Sequence, residues 1–137
     1  MKILVPTDGS EHSMKAVRRG IELAEREGAE ITLMTVAFYS KEDLDELPPN
    51  IQEKLDAEAA KALRASKALF DEKGLKVETI LEAGYVPANN IIAQAEKGKF
   101  DRILMGSKGL TGFERLLIGS TAAKVVANAP CTVTVIR

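Results

Sequence analysis

At 137 residues the chain is the size of one ordinary domain, large enough to bury a two- or three-layer core without disulfides or metal. Hydrophobic residues make up 45% of it but aromatics only 4%, with no Trp, so the core is expected to be built from Val, Ile, Leu and Ala, and an aromatic surface for stacking nucleic acid is disfavoured. A net charge of −1 gives no global field for capturing DNA or an anionic membrane.

"KILVP" (2–6) is a short apolar run stopped by Pro, and "ITLMTVAF" (31–38) is a second, both patterned like strands buried on two faces. Between them Ser10 is placed to cap a helix whose apolar positions Met14, Val17, Ile21 and Ala24 recur at three and four, with Gly28 as its stop. The acidic, proline-paired "YSKEDLDELPPN" then reads as a surface loop and connector. From Ile51 the positions Leu55, Ala59, Ala62, Leu63 and Leu69 predict a long helix ending at Gly74. "LKVETILEA" is a third strand, alternating like a half-exposed edge. After Gly84 and Pro87, Ile91, Ile92 and Ala95 mark a helix stopping near Gly98, and "FDRILMG" is a fourth strand ending at Gly106. "STAAKVVANA" is a helix from Ser120 closed by Pro130, and "CTVTVI" is a last, β-branched strand. This alternation predicts an α/β domain with a mostly parallel sheet, helices on both faces and right-handed crossovers.

One cysteine, Cys131, and one histidine, His12, supply neither an intrachain disulfide nor a Cys/His metal set, which fits a reducing cytoplasm. Cys131 is expected to be a buried small hydrophobe, and His12 a surface residue in the first helical turn. "KILVP" is too short and too quickly interrupted for a signal sequence, and no apolar run approaches the ~18 residues of a membrane span. The expectation is a soluble, unprocessed chain with neither nucleic acid nor membrane as partner.

In open parallel sheets ligands bind beyond the carboxyl ends of the strands where strand order reverses. Order 2-1-3-4-5 places that reversal between strands one and three; order 3-2-1-4-5 places it between one and four, setting "PTDGS" opposite "MGSKG". The second of these opens "MGSKGLTGFERLLIGST" (105–121), inside the only clearly basic part of the chain: positions 97–124 carry +4 and the remainder −5. Gly106, Gly109 and Gly119 permit a positive φ or close approach to a ligand, and Ser120 and Thr121 open a helix whose first N–H groups favour an anion. Lys108 would add charge. The competing reading is a plain turn followed by a helix capped by Ser120. A Walker A loop and the Rossmann glycine pattern are both absent, and the third strand ends in Ala83-Gly84 without an aspartate to phosphorylate.

Gly106-x2-Gly109-x9-Gly119-Ser120 matches the G-x2-G-x9-G-(S/T) signature of the ATP-binding universal stress proteins. "ILVPTDGSEHSMKAV" and "LIGSTAAKVVANAPCTVTVIR" resemble that family's first strand and helix and its last helix and strand, so the resemblance covers 1–137 as one universal stress protein domain. It implies a five-stranded parallel sheet of order 3-2-1-4-5 with four helices on two faces, of the adenine nucleotide alpha hydrolase type. It also implies a homodimer through the last strand, where Val133 and Val135 present an apolar edge, and ATP bound with Mg2+ or Mn2+ through its phosphates. On this sequence Pro6, Thr7 and Asp8 would meet the adenosine, Val36 the base, and Met105 and Gly106 the ribose. Gly109, Gly119, Ser120 and Thr121 would hold phosphate, and Ser107 and Lys108 complete the candidate set. Asp8 has an alternative role as a helix cap. Where many members carry a histidine before that valine, this chain reads "LMTV".

The implied function is that of an ATP-binding regulator of the stress response, with its signal and downstream partner unspecified. A slow ATPase and a nucleotide-free dimeric scaffold are the alternatives. Phosphoryl transfer needs a metal-holding carboxylate and a group to position water; only Asp8 and Glu114 are placed for the first, and no catalytic residue is assigned. A flavin site is disfavoured by the shortage of Trp and Tyr around these loops. "LTGFERLLI" (110–118) is expected to be a flap that orders over the phosphates, with Arg115 a second candidate cation.

Overall fold

The computed structural model describes residues 1–39, 48–109 and 118–137. The elements run β1 (Lys2–Pro6), α1 (Glu11–Glu27), β2 (Glu30–Ala37), α2 (Pro49–Glu72), β3 (Glu78–Ala83), α3 (Pro87–Lys97), β4 (Arg102–Gly106), α4 (Ser120–Asn128) and β5 (Thr132–Ile136). All four strand pairings are parallel, in the order β3-β2-β1-β4-β5. Of the two candidate orders, the sheet therefore takes the one that reverses between β1 and β4.

Local chemistry sets the helix ends. Ser10 Oγ accepts the Ser13 N–H at 3.2 Å, and Gly28 leaves α1 at φ +67°, where a Cβ would be strained. α2 starts at Pro49, two residues before the apolar pattern begins, and α3 starts at Pro87. Proline serves at the first helical position because its missing N–H has no intrahelical partner there and its φ is preset. The pattern of apolar residues cannot report such a start, which explains the late placement of α2 from sequence.

The core lies in two layers. Ile3 and Val5 of β1, Leu33 of β2 and Leu104 of β4 pack beneath Val17 and Ile21 of α1 and Phe70 of α2. The opposite faces, Leu4, Met34, Ile103 and Met105, pack on Ile91 of α3 and Val125 of α4. β3, at one edge, is only partly buried, as its alternation predicts. β5, at the other edge, keeps Val133, Val135 and Ile136 half-buried. Tyr39 departs from the surface loop read there: it is buried against Ala37 and Ala59, and its hydroxyl donates to Asp56 Oδ1 at 2.7 Å. The rest of the acidic stretch, 40–47, lies outside the described residues.

Candidate functional site

A cleft of about 770 Å3 opens at the carboxyl ends of β1 and β4, within the ~300–1,000 Å3 range of small-molecule sites. Its first wall is the turn after β1. The Thr7 N–H donates to the Met34 carbonyl at 2.8 Å, and the Thr35 hydroxyl donates to the Thr7 carbonyl at 2.8 Å, so the strand end is fixed to β2. The Thr7 hydroxyl lies 3.0 Å from Ser66 Oγ and 3.3 Å from Ser13 Oγ in a buried cluster, and so is already shared within the fold. Gly9 takes φ +82° with Ala62 of α2 against it, a turn that a side chain would strain.

Asp8 does not cap α1, which Ser10 does, but it lines the cleft. Its Oδ1 accepts the Ser10 N–H at 2.9 Å, which shapes the entry to α1, while Ser10 itself caps the helix. Its Oδ2 lies on the cleft side, 2.6 Å from where a Cβ on Gly109 would sit. The carboxylate thus spans from the β1 turn to the β4 loop.

The second wall is the glycine signature, and each glycine has its own reason. None of Gly106, Gly109 and Gly119 takes a positive φ, so of the two readings only close approach applies. A Cβ on Gly106 would lie 2.5 Å from the His12 carbonyl oxygen and 2.9 Å from the Ser13 nitrogen; its bareness admits the first turn of α1 and not only a ligand. A Cβ on Gly119 would lie 3.3 Å from both Lys108 Cα and the Ser107 carbonyl oxygen. The Gly119 N–H donates to that carbonyl, so the two ends of the nine-residue spacing meet beside β4. Residues 110–117, which include Glu114, Arg115 and nearly all of the expected flap, lie outside the described residues.

Gly119 is also the N-cap of α4, displacing Ser120 from that role: Ser120 is the first helical residue. Among the described residues no side chain caps this end, and Ser120, Thr121 and Ala122, whose N–H groups precede the first helical hydrogen bond, all line the cleft. An uncapped helix start facing a cavity is a donor array for an anion, favoured further by the helix dipole. Lys108 lines the same end.

Eleven of the twelve candidates line the cleft; Ser107 does not. It is buried, its N–H donating to the Ile136 carbonyl at 2.8 Å, so its part is to tie β4 to β5 and to anchor Gly119. His12 is half-buried rather than at the surface, and its Nδ1 is enclosed without a hydrogen-bond partner among the described residues. Cys131 is half-buried against the α3/α4 core layer, where burial first and the Asp101 charge second push its thiol up, away from the thiolate a nucleophile needs.

Much of the cleft's lining is apolar. Met34, Val36, Pro87, Ile91 and Met105 line it, and two exposed aromatics, Phe38 and Tyr85, stand at its rim. The sequence reading missed Ser13, Met34, Phe38, Tyr85, Pro87, Ile91 and Ala122. To the expected shortage of Trp and Tyr around the β1 and β4 loops the structure adds Phe38 and Tyr85, which the ends of β2 and β3 bring into contact across 47 positions of sequence. The one available signal was their place at the end of one predicted strand and just past the end of another.

The model of the Universal stress protein family matches residues 1–137. Universal stress protein MJ0531 of Methanocaldococcus jannaschii is 41% identical over 141 residues, covering 99% of this chain and 81% of that protein. Among solved structures, universal stress protein UspA from Lactobacillus plantarum superposes with a TM-score of 0.86 at 32% identity, covering 100% of this chain and 97% of that one. A universal stress protein in complex with cAMP superposes with a TM-score of 0.76 at 25% identity, covering 100% and 97%.

Proposed function

The chain belongs to the universal stress protein family, and from that premise we propose that it is an ATP-binding regulator of the stress response in the cytoplasm, acting as a homodimer. The observation that carries this reading is the polarity of the cleft. On the β4 side the cleft has the start of α4 with Lys108, and on the β2 side, across β1, it is walled by Met34 and Val36. A polyphosphate and an aromatic base joined by a ribose match that division. The cAMP complex of a relative supports an adenine nucleotide as the class of ligand.

In this reading the first N–H groups of α4 and the narrow backbone at Gly109 and Gly119 hold the phosphates. The half of Asp8 turned toward Gly109 faces the ribose side. Among the described residues no group of three or more His, Cys, Asp or Glu gathers to cage a metal. Mg2+ or Mn2+ would therefore be held chiefly by phosphate oxygens, as Mg2+ commonly is. Its contribution is to neutralise the phosphate charge.

Asp8 is the only carboxylate among the described lining residues, and one of its oxygens is engaged by Ser10. That favours retention of ATP over its hydrolysis, since phosphoryl transfer also requires a group that positions water. Dimerisation would cover the half-buried Val133 and Val135 on the open edge of β5.

The test is to denature freshly purified protein and identify the released small molecule. About one ATP per chain is the expected result. ADP with phosphate production that Asp8→Ala abolishes would make the protein a slow ATPase, and absence of nucleotide together with no response to added Mg-ATP would overturn nucleotide binding.

A further inference from the structure

Five aromatic residues fall in the described segments: Phe38, Tyr39, Phe70, Tyr85 and Phe100. Three are buried in the core, while Phe38 is 61% and Tyr85 46% exposed, and these two touch each other at the rim of the cleft. Their ring centroids are 5.4 Å apart at 73°, an edge-to-face pair. That geometry is favourable in itself.

The backbone holds the pair in place before any ligand arrives. The Ala37 carbonyl accepts two hydrogen bonds, from the Tyr39 N–H at 2.9 Å and from the Gly84 N–H at 2.9 Å. The first closes a tight turn with Phe38 at its apex; the second ties the chain just before Tyr85 to the same oxygen. Tyr39, next to Phe38, is buried and bonded to Asp56 of α2. On the other side Asn90 of α3 donates to the Ala83 carbonyl at 3.2 Å and to Glu82 Oε1 at 2.9 Å. Its amide oxygen stands where a Cβ on Gly84 would be, so Gly84 is required for that approach. Two loops from neighbouring strands are thereby fixed as one support for two outward-facing rings.

We propose that Phe38 and Tyr85 are a preassembled aromatic wall that packs on a purine base on the β2 side of the cleft and sets the site's preference among nucleotides. This rests on the reading of the cleft as a nucleotide site and adds which residues select the base. A purine presents a larger π-face than a pyrimidine, so the wall favours ATP over UTP. Stacking on aromatic side chains is worth about 10- to 100-fold in affinity per base, and differences in its strength give the modest preference among bases.

The experiment compares wild type, Phe38→Ala/Tyr85→Ala, Phe38→Leu and the ring-preserving Phe38→Tyr/Tyr85→Phe. The probes are Mg-ATP, Mg-UTP, Mg-tripolyphosphate and the 5′-triphosphate of 2-aminopurine riboside. In the double alanine variant ATP affinity falls about 10- to 100-fold and the ATP/UTP ratio approaches one. Tripolyphosphate affinity stays within about twofold, because the phosphate end is untouched. Emission of bound 2-aminopurine, quenched by stacking in wild type, recovers in the double alanine variant, partly recovers in Phe38→Leu, and stays quenched when the rings are kept. Equal ATP affinity and equal quenching in wild type and the double alanine variant overturn the inference while ATP binding stands. Wild type that binds neither ATP nor tripolyphosphate removes the nucleotide reading and the inference with it.

Discussion

Gly106 and Gly109 are three positions apart yet bare for different reasons. At Gly106 a Cβ meets the backbone of His12 and Ser13, which cannot swing aside. Gly106→Ala is expected to destabilise the fold by about 1–3 kcal/mol, as overpacking does, lowering the melting midpoint by roughly 5–10 °C in a calorimetric scan without ligand. At Gly109 the obstacle is the carboxylate of Asp8, the end of a short side chain that can rotate. Gly109→Ala is expected to leave the melting midpoint nearly unchanged while weakening Mg-ATP, because the displaced carboxylate enters the cleft beside the phosphates. The signature marked both glycines in the sequence; only the packing separates the one that serves the fold from the one that shapes the cleft.

The two helices that start at the cleft, α1 and α4, are finished differently. α1 is capped by Ser10 and braced by Asp8, whereas α4 begins at Gly119 with no side-chain cap among the described residues. Helix starts in a stable fold are ordinarily satisfied, so an uncapped one lining a cavity is a feature of the site. Gly119 sits at φ −77° and ψ 166°, a conformation that a residue preceding proline tolerates. Ser120→Pro therefore keeps the helix, because proline suits its first position, and deletes one N–H from the phosphate end. With Ser120→Ala as control for the hydroxyl, the lost charge-assisted bond is expected to weaken Mg-ATP by about tenfold or more.

The turn just after β2, at Tyr39, has its own signature in pH. The hydrogen bond to Asp56, then burial and the Asp56 charge, raise the Tyr39 pKa above its usual value near 10. A raised folded-state pKa contributes stability that is fully present below the unfolded value and is lost as pH rises through the folded one. The wild type is expected to lose stability above about pH 10 by this route, and Tyr39→Phe to lack that component in denaturant titrations at pH 9 and 11. Since Tyr39 braces the turn that carries Phe38, this variant also tests the support of the aromatic wall.

At the scale of the molecule, alternating apolar runs and helical periodicity made all nine elements legible, because each is bounded by Gly, Pro or a capping hydroxyl. Strand order was not. Two orders fitted the same pattern, and the resemblance to a family selected the one the sheet adopts. The candidate site was legible wherever it lies on contiguous sequence, as in Pro6–Asp8 and around the signature. It was not legible at Phe38, Tyr85 and Ile91, which come from separate elements and reach the cleft only through tertiary packing. Ser107 is the converse case, since a hydroxyl between two signature glycines looks available, yet the residue is buried and its N–H bonds to Ile136 of β5. The edge strand β5 belongs to this scale as well: if the proposed dimer forms through it, wild type is a dimer and Val135→Lys a monomer in light scattering at micromolar concentration, with the sheet intact by circular dichroism.

The central claim is that the β1/β4 cleft is an ATP site whose phosphate end is the start of α4. The direct measurement is calorimetric titration of Mg-ATP into nucleotide-stripped wild type and Ser120→Pro protein. The expected result is one site per chain in wild type and about tenfold or more weaker binding in Ser120→Pro at an unchanged ligand-free melting midpoint. No binding to the wild type, or equal binding to the two proteins, contradicts it.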